Sequence, residues 1–260
     1  MITGAGSSGP GVGTGHAISV LFAREGAQVV LVNRRRDHSQ AVLDLIEGEG
    51  GHGIALAADI TNPGDCERVA ESAVEAFGSL DVLVNNVGIS APGSVTQVPE
   101  SEWDHVMAVN LKGMMLMSKY AIPKMAAGGD GAIVNISSMG AVHARRGGSA
   151  AYHASKGGVI SLTKAMAVAH GRDHVRVNCV MPGLIYTPMV AVDMSEQERD
   201  RRRLSSPLGL EGTAWDVAWA AVFLSSPEAR WITGVALPVD GGIYVAMMDA
   251  NDLEFEAAQT

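Results

Sequence analysis

The chain alternates short, nearly unbroken apolar runs with longer stretches whose apolar positions recur at helical spacing. Strands buried on both faces read as continuous apolar runs, and helices packed on one side read as i, i+3, i+4 stripes. The alternation therefore predicts repeated βαβ units around a parallel sheet. Predicted strands are the end of a first one at 1–2, then 28–32, 53–58, 80–84, 131–136, 175–180 and 234–239. Helices are expected over 16–25, 39–49, 63–77, 99–125, 152–169 and 215–224, with Gly26 stopping the first and Asn62 capping the third. Residues 184–212 read as irregular or short-helical, and 244–260 as a loose acidic tail.

No linker or internal repeat divides residues 1–260, so the expectation is a single α/β domain of three layers, α/β/α, with a doubly wound parallel sheet. In such sheets ligands bind in the crevice beyond the carboxyl ends of the strands. Every predicted strand-to-helix turn here carries small or polar residues. A central first strand of two residues is short, and the natural chain is expected to begin several residues earlier.

Composition narrows the function classes. Apolar residues make up 47% of the chain and charged residues 18%, enough for a well-buried core. The net charge of −9 argues against a general nucleic-acid binder, and the runs at 34–36 and 201–203 (three arginines each) read as solvated faces. Two cysteines, Cys66 and Cys179, form no disulfide framework and fit a reducing compartment. No apolar run approaches the roughly 18 residues of a membrane span. The start has no secretory pattern, so a cytoplasmic location is expected. The 31 glycines cluster near the chain start and around 128–158, where close backbone approach to a ligand is expected.

The chemistry is concentrated in Tyr152 and Lys156, four apart and so on one helical face, with Ser138 upstream. An ammonium beside a phenol favours the ionised phenol, and a phenol tuned that way exchanges protons with an alcohol or carbonyl near neutral pH. A hydroxyl such as that of Ser138 steadies the same oxygen. Alone, this spacing is far more often a solvated face than a catalytic pair.

The ordered set of motifs decides the matter. It comprises Thr3-Gly4 with its following glycines, Asp59, Asn85-Asn86-Val87-Gly88, Asn110, Ser138, Tyr152 with Lys156, Pro182-Gly183 with Thr187, and Ile232-Thr233-Gly234 through Asp240-Gly241-Gly242. Over essentially its whole length the chain resembles the short-chain dehydrogenase/reductase family, which implies a Rossmann fold. The resemblance implies that the residues 4–15 hold dinucleotide pyrophosphate on backbone amides at a helix N-terminus. Gly4, Ser7, Ser8, Gly13 and Thr14 are the expected contacts, in a loop about five residues longer than the family pattern.

At the end of the second strand stands Asn33, where an acidic residue would select NAD, followed by Arg34, whose guanidinium suits a 2′-phosphate. NADP(H) is therefore expected over NAD(H). Asp59 and Ile60 are expected against the adenine, Asn86, Val87 and Gly88 around the adenosine ribose, and Pro182, Gly183, Ile185 and Thr187 at the nicotinamide carboxamide. The resemblance makes Asn110, Ser138, Tyr152 and Lys156 the catalytic set. Tyr152 is the acid or base, Lys156 lowers its pKa and bonds the nicotinamide ribose, Ser138 steadies the oxyanion, and Asn110 holds a water against Lys156, where its helix is expected to be distorted.

The substrate is expected to be a small carbonyl or alcohol compound, met by residues 90–94, 143–150 and 184–208. Met189, Val190, Val192 and Met194 lean toward an apolar component. A 3-oxoacyl thioester reductase, a sugar or polyol dehydrogenase and a steroid or terpenoid alcohol dehydrogenase all fit the scaffold. A homo-oligomer, dimer or tetramer, is expected through the helices at 99–125 and 152–169. The competing class is a non-catalytic dinucleotide-binding regulator or scaffold, which usually lacks the Tyr or the Lys. His153 neighbours Tyr152 in sequence and is expected to point elsewhere, toward the surface or a partner. His170 with His174 makes a poor metal pair across a helix-ending turn, Cys179 reads as an inert core thiol, and the methionines as core filling.

Overall fold

A computed structural model describes residues 1–6, 9, 11–144, 148–191 and 194–246. Its centre is a seven-stranded sheet, parallel throughout, built from β1 (Ile2–Thr3), β2 (Val29–Asn33), β3 (Gly53–Ala57), β4 (Val82–Asn85), β5 (Gly131–Ile136), β6 (Val175–Pro182) and a last strand, Ala236–Val239. The last strand lies beside β6, and the order from the other edge is β3-β2-β1-β4-β5-β6. The order reverses between β1 and β4, so the crevice lies above their carboxyl ends. The two-residue β1 sits at this centre, with Ile2 paired to Leu31 on one side and Val84 on the other.

Successive strand residues point to opposite faces, and the core divides accordingly. Val29 and Leu31 pack in one layer with α1 (Thr14–Arg24), α2 (Arg36–Gly48) and the late helix Ala214–Ser225. Val30 and Val32 pack in the other, against α3 (Pro63–Phe77), α5 (Gly113–Gly128) and α6 (Ala150–His170). α3 starts as its sequence dictates: Pro63 opens it, Asn62 accepts from the amides of Gly64 at 2.9 Å and Asp65 at 3.2 Å, and Gly78 ends it at φ +83°.

The expected long helix is a composite. α4 (Glu100–Met107) runs through a π-helical turn, Ala108–Lys112, into α5, and Asn110 lies in that turn. π turns inside helices recur at functional sites. The stretch 184–212 holds β7 (Ile185–Tyr186), α7 (Pro188–Ala191), α8 (Glu196–Leu204) and β8 (Gly212–Thr213), with β7 and β8 paired as a separate small sheet. Completing the labels in chain order, Ala214–Ser225 is α9 and Ala236–Val239 is β9. The tail beyond residue 246 lies outside the described residues.

Candidate active site

The glycine-rich loop rises from β1 and turns into α1. Gly4 adopts φ +65°, and a side chain there would meet Asn86 and Val87 at 3.1 Å. Gly15 is more constrained, because a Cβ would run into the Gly4 carbonyl and lie 2.6 Å from Asn86 Nδ2. Gly6 abuts His38 of α2, where a Cβ would come within 2.5 Å. Gly13 precedes α1 as its N-cap, with no side-chain cap and no acid in the first turn, so the Thr14 end of the helix keeps amide donors for an anion. The close packing of Gly4 and Gly15 against Asn86, and of Gly6 against His38, holds the chain at the Thr14 helix end, whose amide donors fit a pyrophosphate. Ser7 and Ser8 fall outside the described residues.

Asn86 ties the switch point together. Its backbone amide donates to Thr3 Oγ1 at 3.1 Å and its side chain to the carbonyls of Thr3 at 3.3 Å and Gly4 at 3.2 Å. At the end of β2, Asn33 Oδ1 accepts from the Arg35 amide, and Arg35 pairs with Asp37 at 2.7 Å. Arg34 is exposed and, among the described residues, has no side-chain partner. Asp59 Oδ1 accepts from the hydroxyl and amide of Thr61, at 2.7 and 2.9 Å, beside the buried Ile60. Gly183 is wedged against Asp240, where a Cβ would lie 2.6 Å from its Cα, and its amide donates to Val239. Thr187 opens α7, its carbonyl accepting from Val190 and Ala191.

Ser138 follows β5, and Tyr152 and Lys156 lie one turn apart on α6. Ser149 caps that helix by accepting from the Tyr152 amide at 3.1 Å. Lys156 is 3% exposed, and its ammonium donates to the Ile136 carbonyl at 2.9 Å. Ser137 fastens the same residue, donating to the Lys156 carbonyl at 2.8 Å. Burial lowers the lysine to about 8. Burial also raises the Tyr152 phenol above its ordinary value, and a hydrogen bond with Ser138 offsets part of this. The expected lowering of the phenol by Lys156 is not among the causes of its shift, which are burial first and Ser138 second, and the lysine ammonium is turned toward the Ile136 carbonyl.

Asn110 has more contacts than its expected water-holding role requires. Its Oδ1 accepts from the Ile89 amide at 2.8 Å, while Nδ2 donates to the Ile89 carbonyl at 2.9 Å and to Ser155 Oγ at 3.0 Å. The π turn is thereby clamped to the loop after β4 and to α6. Gly88 lies at the same junction, where a Cβ would sit 3.1 Å from the Lys156 ammonium.

His153 departs from its sequence-based placement. It is half-buried, its Nδ1 lies 2.5 Å from the Gly140 carbonyl, and it lines a cavity of about 670 Å³ with Pro92, Gly93, Ser94, Ala150 and others. That cavity joins two of the predicted substrate segments, 90–94 and 143–150, and Tyr152 is not among its described lining residues. Sequence spacing from Tyr152 could not reveal this, because the loop that receives the imidazole comes from β5. Cys179 is buried and its thiol is pushed up to about 11, in keeping with an inert core group. His170 pairs with Asp173 at 3.0 Å, and His174 is in the left-handed region at φ 59°.

The family model described as enoyl-(acyl carrier protein) reductase matches residues 10–244. The chain belongs to the short-chain dehydrogenase/reductase family. Its general activity is NAD(P)-dependent oxidoreduction. The uncharacterized oxidoreductase YxbG of Bacillus subtilis is 36% identical over 246 residues, covering 91% of this chain and 89% of that one. The 3-oxoacyl-[acyl-carrier-protein] reductase FabG of Thermotoga maritima is 35% identical, covering 94% and 97%. The 2,5-dichloro-2,5-cyclohexadiene-1,4-diol dehydrogenase LinX of Sphingobium indicum is 36% identical, covering 93% and 94%. A crystal structure from Burkholderia xenovorans, described as a short-chain dehydrogenase/reductase, superposes with a TM-score of 0.90 at 38% identity, covering 95% of this chain and 96% of that one. This member of the family carries no helix, among its described residues, long and apolar enough to cross a membrane.

Proposed function

We propose that this short-chain dehydrogenase/reductase moves a hydride between a nicotinamide dinucleotide and a ketone or secondary alcohol, with Tyr152 as general acid in reduction and general base in oxidation. The observation that carries this reading is the convergence of the Tyr152 phenol, the Ser138 hydroxyl and the Lys156 ammonium above the carboxyl edge of the sheet, next to the cradle made by Gly4, Gly13 and Gly15. The bound nicotinamide supplies or takes up the hydride. Ser138, whose hydroxyl is close enough to the phenol to draw its pKa down, holds the substrate oxygen against Tyr152 and stabilises negative charge as it develops there. Burial keeps the phenol protonated and ready to donate. For Tyr152 to act as base, Lys156 would leave the Ile136 carbonyl and turn its charge toward the phenol, and the same ammonium would be the residue that holds the ribose hydroxyls of a bound dinucleotide. A water relay at Asn110 would use what its side chain leaves over, since three of its hydrogen bonds already serve Ile89 and Ser155.

NADP(H) is preferred over NAD(H) in this reading. Asn33 leaves no carboxylate against a 2′-phosphate, Arg35 is neutralised by Asp37, and Arg34 extends beside them with its charge uncompensated. The named relatives include a 3-oxoacyl thioester reductase and a cyclohexadiene-diol dehydrogenase, so ketones and alcohols of both kinds belong in the substrate panel.

The protein works as a homo-oligomer in the cytoplasm. An apolar cleft of about 530 Å³, lined by Met107, Leu111, Met115, Gly158 and Leu162, lies along α4, α5 and α6 and suits the same face of a second copy. Trp219 and Phe223, 54% and 45% exposed on α9, offer a second such face for a tetramer. Light scattering is expected to report a dimer or tetramer, and a monomer would overturn this part. The function itself is tested by Tyr152→Phe, which is expected to lower turnover at least about 100-fold while dinucleotide binding persists. Retained turnover would refute the mechanism.

A further inference from the structure

His153 shares one anchor with the catalytic pair. A Cβ on Gly140 would lie 3.1 Å from His153 Nδ1, 3.2 Å from the Tyr152 ring and 3.3 Å from Ser138 Oγ, so a single glycine touches all three. The two rings meet edge to face, centroids 6.2 Å apart. A carbonyl oxygen can only accept, so the 2.5 Å contact between His153 Nδ1 and the Gly140 carbonyl places the ring proton on Nδ1. In the neutral imidazole Nε2 is then a bare acceptor. Among the described residues nothing donates to it.

Among the described residues lining the cavity, only Ser94, Gln97 and His153 carry a polar side chain. Pro92, Gly93, Val95 and Ala150 offer small or apolar surface. Gln97 Oε1 is already taken by the amide and hydroxyl of Ser94, at 3.2 and 2.8 Å. Among the described residues His153 is the only ionisable side chain lining this space, and its Nδ1 edge meets Gly140, which also touches the phenol ring.

We infer that His153 is a specificity-determining residue, and that the substrate carries a second hydroxyl a few bonds from the reacting carbon. This rests on the hydride-transfer reading above and narrows it to a diol in the oxidative direction and a hydroxyketone in the reductive one. The reacting oxygen sits between Ser138 and Tyr152, the second hydroxyl donates to His153 Nε2, and the compact carbon frame lies against Gly93, Val95 and Ala150. A site that hydrogen-bonds a substrate hydroxyl rejects the analogue lacking it, because its own polar group is left unpaired.

The test compares matched alcohols, cyclohexanol with 1,2-cyclohexanediol and 2-butanol with 2,3-butanediol, as kcat/KM with either oxidised nicotinamide cofactor. The unmodified protein is expected to favour the diol roughly tenfold, the worth of about one hydrogen bond. His153→Phe is expected to erase that ratio with the mono-alcohol changed by less than about twofold, and His153→Gln, whose amide oxygen can take the place of Nε2, to restore part of it. A mono-alcohol and diol used equally by the unmodified protein would overturn the inference. So would a ratio that survives His153→Phe, or an equal loss on both alcohols, which marks a purely structural imidazole. If the Phe variant does not fold, the inference rests on the ratio in the unmodified protein and its retention in the Gln variant, and loss of the ratio in a folded Gln variant counts against it. Turnover of simple ketones or thioesters with none of the diols would sink this inference alone, whereas no turnover on any alcohol or carbonyl would sink the hydride-transfer reading beneath it.

Discussion

The Lys156 ammonium lies 5.7 Å from the centroid of the Tyr152 ring, and burial moves the two groups in opposite directions on the pH scale. The lysine falls to about 8 while the phenol rises above its ordinary value, so the lysine is the first of the pair to lose its proton as pH increases. The charge that should assist the phenol is therefore held at a cost in stability.

That cost can be read from unfolding. The ordinary lysine value is 10.5 and the folded value about 8, so below pH 8 the ammonium is charged in both states and the folded protein bears the whole desolvation penalty. Between 8 and 10.5 the folded protein sheds the proton first and the penalty fades. Lys156→Met is expected to stabilise the protein by about 2 kcal/mol near pH 7, a shift worth roughly 3 less an orphaned Ile136 carbonyl, with the gain fading toward pH 10. Denaturant unfolding at the two pH values measures it. An undiminished gain at pH 10 would rule out the lysine charge as its source.

Asn110 invites a different measurement. It is fully buried, and replacing it with leucine removes three hydrogen bonds and leaves the Ile89 amide and carbonyl without their partner. Asn110→Leu is expected to cost about 2–4 kcal/mol, and Ser155→Ala, which removes one of the three Asn110 bonds and the one from Ser155 to the Tyr152 carbonyl, about 1–2. Urea unfolding of both variants checks the ranking. Equal stability of Asn110→Leu and the unmodified protein would show that the clamp contributes nothing.

In the proposed reading, cofactor choice turns on Arg34 rather than its neighbour. Arg34→Ala is expected to raise KM for NADPH roughly tenfold and leave KM for NADH nearly unchanged, as expected for loss of a guanidinium–phosphate pair. Arg35→Ala should do far less, since that side chain is already paired with Asp37. Steady-state kinetics with both cofactors decides, and a strong NADH preference in the unmodified protein would overturn the proposal.

Much of the fold is legible in the amino-acid sequence. Strand 131–136 and helix 63–77 have the bounds that their apolar patterns and capping residues predict. The distorted helix was expected at Asn110 and the π turn contains it. The small β7–β8 sheet was not foreseen, because two-residue strands carry too little pattern to register above a loop.

Alone, the sequence determined the layered α/β fold and the family, because apolar period, caps and ordered short motifs are local properties of the chain. It also named Ser138, Tyr152 and Lys156 as neighbours, since helical spacing and strand-end position are local as well. Only the tertiary structure decided that burial sets the charge of Lys156 and the proton of Tyr152, and that His153 turns into a cavity with its proton aimed at Gly140. The hydrogen-bond partners come from Ile136 and Gly140, and part of the cavity wall from Gly93, residues distant along the chain, so no window of sequence around α6 contains them.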